Sequence, residues 1–341
     1  MSETKIDISR ASKAIRDSRF VEALSMLESN LAKDPDHLES LYFAAVCSRY
    51  LKNYKDSQKY LENLLTKAPD MGRAYQELGH LSKAIGNDEN AASHYRQACE
   101  LNPALISSWK SLFNYFTKMK NKPAAEHAYE QIKKLESIPS VLLYINQILN
   151  EGRLGIAEKQ CRDYLKKNPT DVYAMSLLAE IANRLGYFDD AEILLENAVK
   201  FSPNDGELRM KYAMILRKKQ KFAKTMEQVN ILCEQFPENL SYQAQKASEV
   251  MQNGDHSQAI ELFESIIEKN KFNFSALTSK GHAEKTLGKT DNAIQSYKSA
   301  YKIKQDHGEA YFSLSNLKTY KFSNSELDQM RKQLKRVDLT L

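Results

Sequence analysis

The prolines of this 341-residue chain follow a fixed spacing. Six of the eight form two series with an interval of 34 residues: Pro35, Pro69 and Pro103, then Pro169, Pro203 and Pro237. Because proline stops a helix, this interval is typical of a helix–turn–helix unit whose second helix ends at the proline. The spacing therefore predicts an all-α solenoid that grows by adding units.

Extending the interval in both directions divides the chain into nine full units and a partial tenth. The units lie near residues 4–37, 38–71, 72–105, 106–137, 138–171, 172–205, 206–239, 240–273, 274–307 and 308–322. The fourth unit is two residues short, and Pro139 opens the first helix of the fifth. Lys271 and Gln305 stand at the proline position of the eighth and ninth units, which predicts softer helix ends there. We expect one continuous array over residues 1–322.

Small, large and turn residues recur in one order between the prolines. The third unit shows this order as Tyr75, Leu78, Gly79, Gly86, Ala91, Tyr95, Ala98 and Pro103. The fourth and sixth units repeat much of it, and the pattern resembles the tetratricopeptide repeat over nearly the whole chain. This resemblance implies a right-handed superhelix. It also implies that the first helices line a concave groove, where peptides or partner helices bind.

Two further sets of residues are typical of a repeat made of two packed helices. Small residues occupy one place in the first helices, where a shallow groove lets two helices approach: Ala45, Gly79, Ala179, Ala213, Ala247 and Gly281. Glycines at the turn inside each unit can adopt a left-handed backbone: Gly86, Gly152, Gly186, Gly254 and Gly288.

Composition argues against several classes of protein. The net charge of +5 is small and dispersed, which does not favour nucleic-acid binding. No run approaches the ~20 apolar residues that span a bilayer, and the N-terminus lacks the apolar core of a signal peptide. We therefore expect a cytoplasmic protein that is not a membrane protein. The four cysteines show no C-x-x-C pair and read as reduced core thiols.

No catalytic, metal or cofactor motif emerges from the sequence. Gly288-Lys289-Thr290 resembles the end of a phosphate-binding loop, but Ala283 stands where the partner glycine should be. We interpret this tripeptide as the turn between the two helices of the ninth unit. The seven histidines show no metal-ligand spacing. We therefore predict no catalytic residue, no metal and no cofactor in this chain.

The concave groove is the remaining candidate for a functional surface. Its positions hold twelve basic and five acidic residues, which favours an acidic partner, although a solvated face is an equal alternative. Two apolar stretches within it are packing surfaces or partner pockets. The first is Tyr42, Phe43, Val46 and Tyr50 in the second unit, and the second is Leu142, Leu143 and Leu149 with Tyr173 in the fifth and sixth units. The candidate partner-binding residues are Tyr42, Phe43, Arg49, Arg73, Lys110, Asn114, Asn146, Tyr173, Arg184, Lys211, Arg217 and Lys218.

Lys110 and Asn114 resemble half of the carboxylate clamp by which some family members hold chaperone C-termini. The positions that should supply further basic residues carry Leu143, Tyr173 and Leu177 instead. We therefore do not expect chaperone docking through this clamp.

A second resemblance concerns the segment from Gly308 to Arg331, with its Asn-Leu-Lys-Thr-Tyr-Lys-Phe core. It is similar to the junction where a bacterial tetratricopeptide array leads into a sulfotransferase domain. Ser323-Asn-Ser-Glu326 is a capping box, which predicts a helix through about Lys335, and we assign residues 323–341 to this C-terminal helix. The resemblance implies that this helix is a junction to a missing domain and that the chain is a fragment. No nucleotide-sulfate donor loop is present, so no donor-binding residue can be assigned.

Three functions stay open from the sequence. The chain is the substrate-recruiting half of a sulfotransferase, a stand-alone adaptor or assembly factor, or an enzyme in its own right. The first two share one property, a protein or peptide partner bound in the groove. Enzymatic status is undecided, because this chain has no catalytic motif while the second resemblance implies a sulfotransferase domain in its parent protein.

Overall fold

The computed structural model describes residues 3–334, with side chains from Ile8 onward. This part of the chain forms twenty α-helices and no strand, so the all-α prediction is confirmed. The helices are α1 (Glu3–Arg16), α2 (Phe20–Lys33), α3 (Leu38–Tyr50), α4 (Tyr54–Lys67), α5 (Gly72–Ile85), α6 (Asp88–Leu101), α7 (Ile106–Lys118), α8 (Lys122–Glu136), α9 (Ser140–Asn150), α10 (Leu154–Lys167), α11 (Val172–Leu185), α12 (Phe188–Phe201), α13 (Gly206–Lys218), α14 (Phe222–Gln235), α15 (Leu240–Gln252), α16 (His256–Lys269), α17 (Phe274–Thr286), α18 (Thr290–Ile303), α19 (Gly308–Ser315) and α20 (Asn324–Leu334).

The helices fall into two compact units. The N-terminal unit comprises Met1–Leu185, with α1 to α11, and the C-terminal unit comprises Gly186–Leu341, with α12 to α20. Inside each unit, helices that follow one another along the chain pack together, as helix pairs of a repeat do.

Eight of the nine second helices described between residues 3 and 334 end in the same register with or without proline, and α8, which ends at Glu136, is the exception. Six of them stop two residues before a proline of the series, as α2 does at Lys33 ahead of Pro35. α16 and α18 stop in the same register, two residues before Lys271 and Gln305. The proline therefore reinforces a helix end that the rest of the repeat already fixes.

The fifth repeat begins later than the sequence predicted. The sequence predicts a start at Ile138 with Pro139 in the first turn of the helix, whereas α9 begins at Ser140 and Pro139 is its N-cap. Pro139 has φ of −52°, which its ring fixes near the helical value, but its ψ of 134° is extended, so the helix starts only at the next residue. With 11 residues, α9 is shorter than its neighbours α7 and α11.

The small residues and three of the cysteines belong to the core. Ala45, Ala179, Ala213 and Ala247 are at most 1% exposed. Burial raises the pKa of the Cys47, Cys99 and Cys161 thiols to about 12, which keeps them protonated, and Cys233 is half-buried.

A different element follows the last regular repeat. The eight-residue helix α19 leads into α20, which begins with the predicted capping box: Ser323 donates its backbone N–H to Glu326 over 2.8 Å, and Glu326 donates its own to Ser323 Oγ over 3.3 Å. The Tyr301 and Tyr320 hydroxyls also donate to Glu326. These bonds fix α20 on α18. The expected continuation over residues 335–341 lies outside the described residues.

Candidate functional site

Two of the basic candidates form ion pairs between neighbouring repeats. Arg49 of α3 donates to Glu77 of α5, whose side chain is 3% exposed. Arg217 of α13 donates to Glu249 of α15, which is equally buried. A buried carboxylate needs such a partner, because removing one member leaves an uncompensated charge. Both arginines therefore hold adjacent repeats together.

Arg73 lies at the centre of a network of alternating charges, which we call the Arg73 network. Its guanidinium stacks 4.4 Å above the Tyr42 ring and donates to Glu39. Arg73 Nε lies 3.2 Å from Glu151 Oε1, and Arg153 Nη1 lies 3.3 Å from Glu39 Oε1. Glu151 and Arg153 come from the turn after α9, so the network joins the fifth repeat to the second and third. Sequence reasoning missed both residues, since no periodic signal links them to Arg73.

The end of α9 makes a second set of contacts with the earlier repeats. Asn102 donates to the Gln147 carbonyl over 3.1 Å, and the Gln147 side chain donates to the Ala104 carbonyl over 2.9 Å. Asn150 donates to Asn102 Oδ1 over 3.4 Å. Beside these contacts lies a cavity of about 790 Å³. The charged residues that line it are Asp34, Asp36, Glu39, Lys67, Asp70, Glu151 and Arg153.

The first apolar stretch packs largely on its own chain. Tyr42 and Phe43 are half-buried and meet edge to face with ring centroids 5.4 Å apart. Tyr50, the exposed end of this stretch, stacks on Phe20 at 4.3 Å. In the second stretch, Leu142 and Leu149 are buried. These contacts favour packing over a partner pocket.

Three other candidates of the N-terminal unit bond to one another or to the backbone. Asn146 donates to the Tyr173 hydroxyl over 2.7 Å, and burial raises the pKa of that hydroxyl. Arg184 donates to Glu180 over 2.9 Å and to the Leu149 carbonyl over 3.2 Å. These bonds connect α9 to α11.

Lys110 and Asn114 lie on the exposed side of α7. Lys110 forms a 2.7 Å ion pair with Glu136, and both side chains are about half exposed. Asn114 lines a hollow of about 190 Å³ together with Tyr95, Ser111 and Lys118. The exposed Lys110–Glu136 pair contributes little to stability, so Lys110 as well as Asn114 stays accessible to a partner.

In the C-terminal unit, the first helices α13, α15, α17 and α19 form a layer. The Arg217–Glu249 pair connects α13 to α15, which contacts α17 in turn. His282 Nε2 of α17 lies 3.2 Å from Glu309 Oε1 of α19. Lys211 and Lys218 are exposed on the α13 side of this layer, with the Lys218 ammonium 5.5 Å from the Phe188 ring centroid.

No group of three or more metal-ligating side chains occurs within the described part of the chain. Gly288 has φ of +75° and lies in the turn between α17 and α18, which agrees with the interpretation of Gly288-Lys289-Thr290 as a turn. Among the helices of residues 3–334, none is long and apolar enough to cross a membrane.

Solved structures similar to this chain include proteins titled MamA. One crystal structure of MamA is 18% identical, has a TM-score of 0.44, and aligns over 48% of this chain and 96% of its own. A MamA RS-1 double mutant is 11% identical, with a TM-score of 0.43 and coverage of 50% and 98%. Because both TM-scores are below 0.5, the family assignment rests on sequence models.

Two such models, both described as tetratricopeptide repeat, match the chain. One matches residues 72–105, which is the span of the third predicted unit, and the other matches residues 149–224 and 245–308. Together these matches cover just over half of the chain, and the helix pairs of the structure extend beyond them. The chain therefore belongs to the tetratricopeptide-repeat family.

Proposed function

We propose that this chain is a protein–protein interaction scaffold, and that the layer of first helices in the C-terminal unit holds an extended segment of a partner protein. The family supports a scaffold role. The observation that carries the choice of surface is the make-up of this layer, in which exposed polar side chains of α15 and α17 stand between a cationic end on α13 and an aromatic end on α19.

The middle of the layer suits a peptide backbone. Ser241 and Ser275 stand 34 residues apart at one position of the repeat, and Gln252 and Thr286 share another. All four are exposed. Hydroxyl and amide groups donate and accept hydrogen bonds, so they can pair with the N–H and C=O groups of an extended chain.

The two ends of the layer differ in chemistry. Lys211 and Lys218 are exposed on α13, close to Met214, which is 41% exposed. On α19, Phe312 is 66% exposed. Basic side chains attract acidic groups of a partner, and a large exposed aromatic side chain is a frequent anchor in binding surfaces. We infer that the partner segment is acidic near α13 and apolar near α19.

Because Arg217 pairs with Glu249, Arg217 is not suited to test whether α13 binds the acidic part of a partner. Reversing Arg217 would disturb α15 as well as any partner contact. Lys211→Glu with Lys218→Glu leaves the Arg217–Glu249 pair in place and reverses the two exposed charges of α13, so it is the test variant. Lys200→Glu with Lys224→Glu on second helices of the same unit is the control with equal charge change. Arg184 belongs to the N-terminal unit and stays a separate candidate for an acidic partner.

The test starts from a partner that the wild-type chain captures and that is then purified. Affinity for the Lys211/Lys218 variant should be about tenfold weaker at low salt, and the difference should shrink as salt screens the charges. The control variant should retain wild-type affinity. Equal loss in both variants would show that only net charge matters and would refute this surface.

The link to a sulfotransferase is a further part of the proposal and rests on the resemblance of residues 308–331. In that reading the scaffold recruits a substrate for a linked sulfotransferase, and a stand-alone adaptor or assembly factor is the alternative. Translating the gene beyond Leu341 distinguishes the two. Calorimetric titration of an adenosine phosphosulfate donor into this chain should show no binding, and saturable binding would contradict the assignment of this chain as non-catalytic.

A further inference from the structure

Arg73 in the N-terminal unit has the surroundings of a carboxylate-binding site. Its side chain is 12% exposed, and its guanidinium lies over the Tyr42 ring, which fixes the plane of the fork. The carboxylate of Glu151 approaches this fork from the turn after α9. Glu151 therefore takes the place that a partner's carboxylate would take.

The fit of Glu151 to Arg73 is incomplete. Arg73 Nε and Glu151 Oε2 are both buried without a hydrogen-bond partner, although Nε lies 3.2 Å from Oε1. Glu151 is 6% exposed, and burial raises the pKa of its carboxyl despite the nearby Arg73 charge. Buried groups without hydrogen bonds destabilise the contact that they belong to. A carboxylate that meets the fork with two parallel hydrogen bonds would bind better.

We propose that Arg73 and Tyr42 form a binding site for a carboxylate of a partner segment, and that Glu151 is its displaceable internal occupant. This site is separate from the surface proposed in the C-terminal unit. A partner that enters it would release the turn of the fifth repeat from the earlier repeats.

The surroundings define the partner more closely. The adjoining cavity carries Asp34, Asp36 and Asp70, which disfavour a segment with many acids. The internal occupant has both signs of charge, because Glu151 meets Arg73 while Arg153 meets Glu39. We infer a segment in which one carboxylate is flanked by basic residues, as in Glu151-Gly152-Arg153.

The first experiment empties the site. Glu151→Ala should lower the melting temperature, and sodium acetate should restore it saturably in comparison with sodium chloride at equal ionic strength. Arg73→Gln added to this variant should remove the effect of acetate. Glu180→Ala, which removes a carboxylate from an exposed pair with Arg184, is the matched control and should not respond. Acetate that acts like chloride on Glu151→Ala, or that acts equally on the controls, overturns the proposal.

The second experiment keeps the shape of the occupant and removes its charge, so it remains decisive if Glu151→Ala does not fold. The probe is the capped peptide Lys-Asn-Glu-Gly-Arg-Lys. Glu151→Gln should bind it at least about tenfold more tightly than the wild type, whose own turn competes at a high effective concentration. A peptide with glutamine in place of glutamate should lose this preference. Equal affinity of wild type and Glu151→Gln, or no saturable binding to Glu151→Gln, overturns the proposal.

Discussion

The ring of Tyr95 lies so close to Gly79 that a Cβ atom on this glycine would come within 2.5 Å of a ring carbon. The same contact recurs between Tyr297 and Gly281, at 2.6 Å. Each tyrosine is at most 2% exposed and has no room to move aside into solvent. Glycine at this position of the repeat is therefore required by the large aromatic ring of the second helix.

Gly79→Ala and Gly281→Ala should each destabilise the chain by about 1–3 kcal/mol, because the added methyl group overpacks a filled contact. Gly155→Ala in α10 is the matched control: no atom lies within 4 Å of its Cβ position, and alanine favours a helix by up to about 1 kcal/mol. The urea concentration at the midpoint of unfolding measures the stability of each of the three variants. Loss of stability in Gly155→Ala equal to that in Gly79→Ala would show that tyrosine packing is not the cause.

The turns inside the repeats need a left-handed backbone even where glycine is absent. Five of these turns have glycine with φ between 74° and 95°: Gly86, Gly152, Gly186, Gly254 and Gly288. The corresponding turns elsewhere use Ser18, Lys52, Lys120 and Gln220, with φ between 57° and 64°. A side chain with Cβ is disfavoured in this conformation.

Gln220→Gly should therefore stabilise the chain by about 1 kcal/mol, since glycine adopts this backbone without strain. The control is Glu227→Gly at an exposed position inside α14, where glycine should cost about 1 kcal/mol. Thermal unfolding followed by circular dichroism shows whether each variant is more stable or less stable than the wild type. A destabilised Gln220→Gly variant would contradict the argument.

Local signals explain why the helices could be predicted from sequence. Proline, glycine and the small residues act on their own turn or on the next helix, so the 34-residue interval gave the start of α3, α5 and α7. The left-handed turns at Lys52 and Gln220 escaped prediction, because lysine and glutamine carry no signal for this conformation.

Charged residues could be placed on the first helices but could not be paired from sequence. Arg49 and Glu77 are 28 residues apart, and Arg217 and Glu249 are 32 apart, so neither pair follows the repeat interval. Arg153 and Glu39 are 114 residues apart and meet only because the fifth repeat reaches back to the second. Side-chain length and the geometry of helix packing decide these pairs. Part of the basic excess of the predicted groove is for this reason offset by acids of the same unit, as Arg217 is by Glu249.

His80 should make the third repeat sensitive to mild acid. Burial, followed by the charges of Arg49 and Lys83, lowers the pKa of His80 to about 4. Between pH 6.5 and 4 the unfolded chain binds a proton that the folded chain does not, so stability falls as pH drops through this range. Protonation would also remove the ring acceptor that faces the Tyr95 hydroxyl at 2.7 Å.

His80→Gln should reduce this loss, because glutamine does not titrate. Urea midpoints at pH 7, 5.5 and 4.5 measure the slope for the wild type and the variant, and the difference isolates His80 from other titrating groups. Identical slopes would show that His80 does not contribute.

Glu326 should stabilise the C-terminal helix α20 above pH 4.5 and lose this effect in acid. Burial alone would raise the pKa of Glu326, but hydrogen bonds from Tyr320, Ser323 and Tyr301 lower it to about 2. A carboxyl whose pKa is lowered on folding gives stability that is complete above its unfolded value and lost as pH falls through the folded one.

Glu326→Ala should cost about 1–2 kcal/mol at pH 7, by loss of the capping box and of the tyrosine bonds. Glu238→Ala is the control, since Glu238 is 88% exposed and 3.9 Å from Lys269. Hydrogen exchange of α18 and α20 should rise in Glu326→Ala and stay unchanged in the control. The difference between wild type and Glu326→Ala should shrink from pH 4.5 towards pH 2, and a difference that is the same at pH 7 and pH 2 would show that the ionised carboxylate does not hold α20 in place.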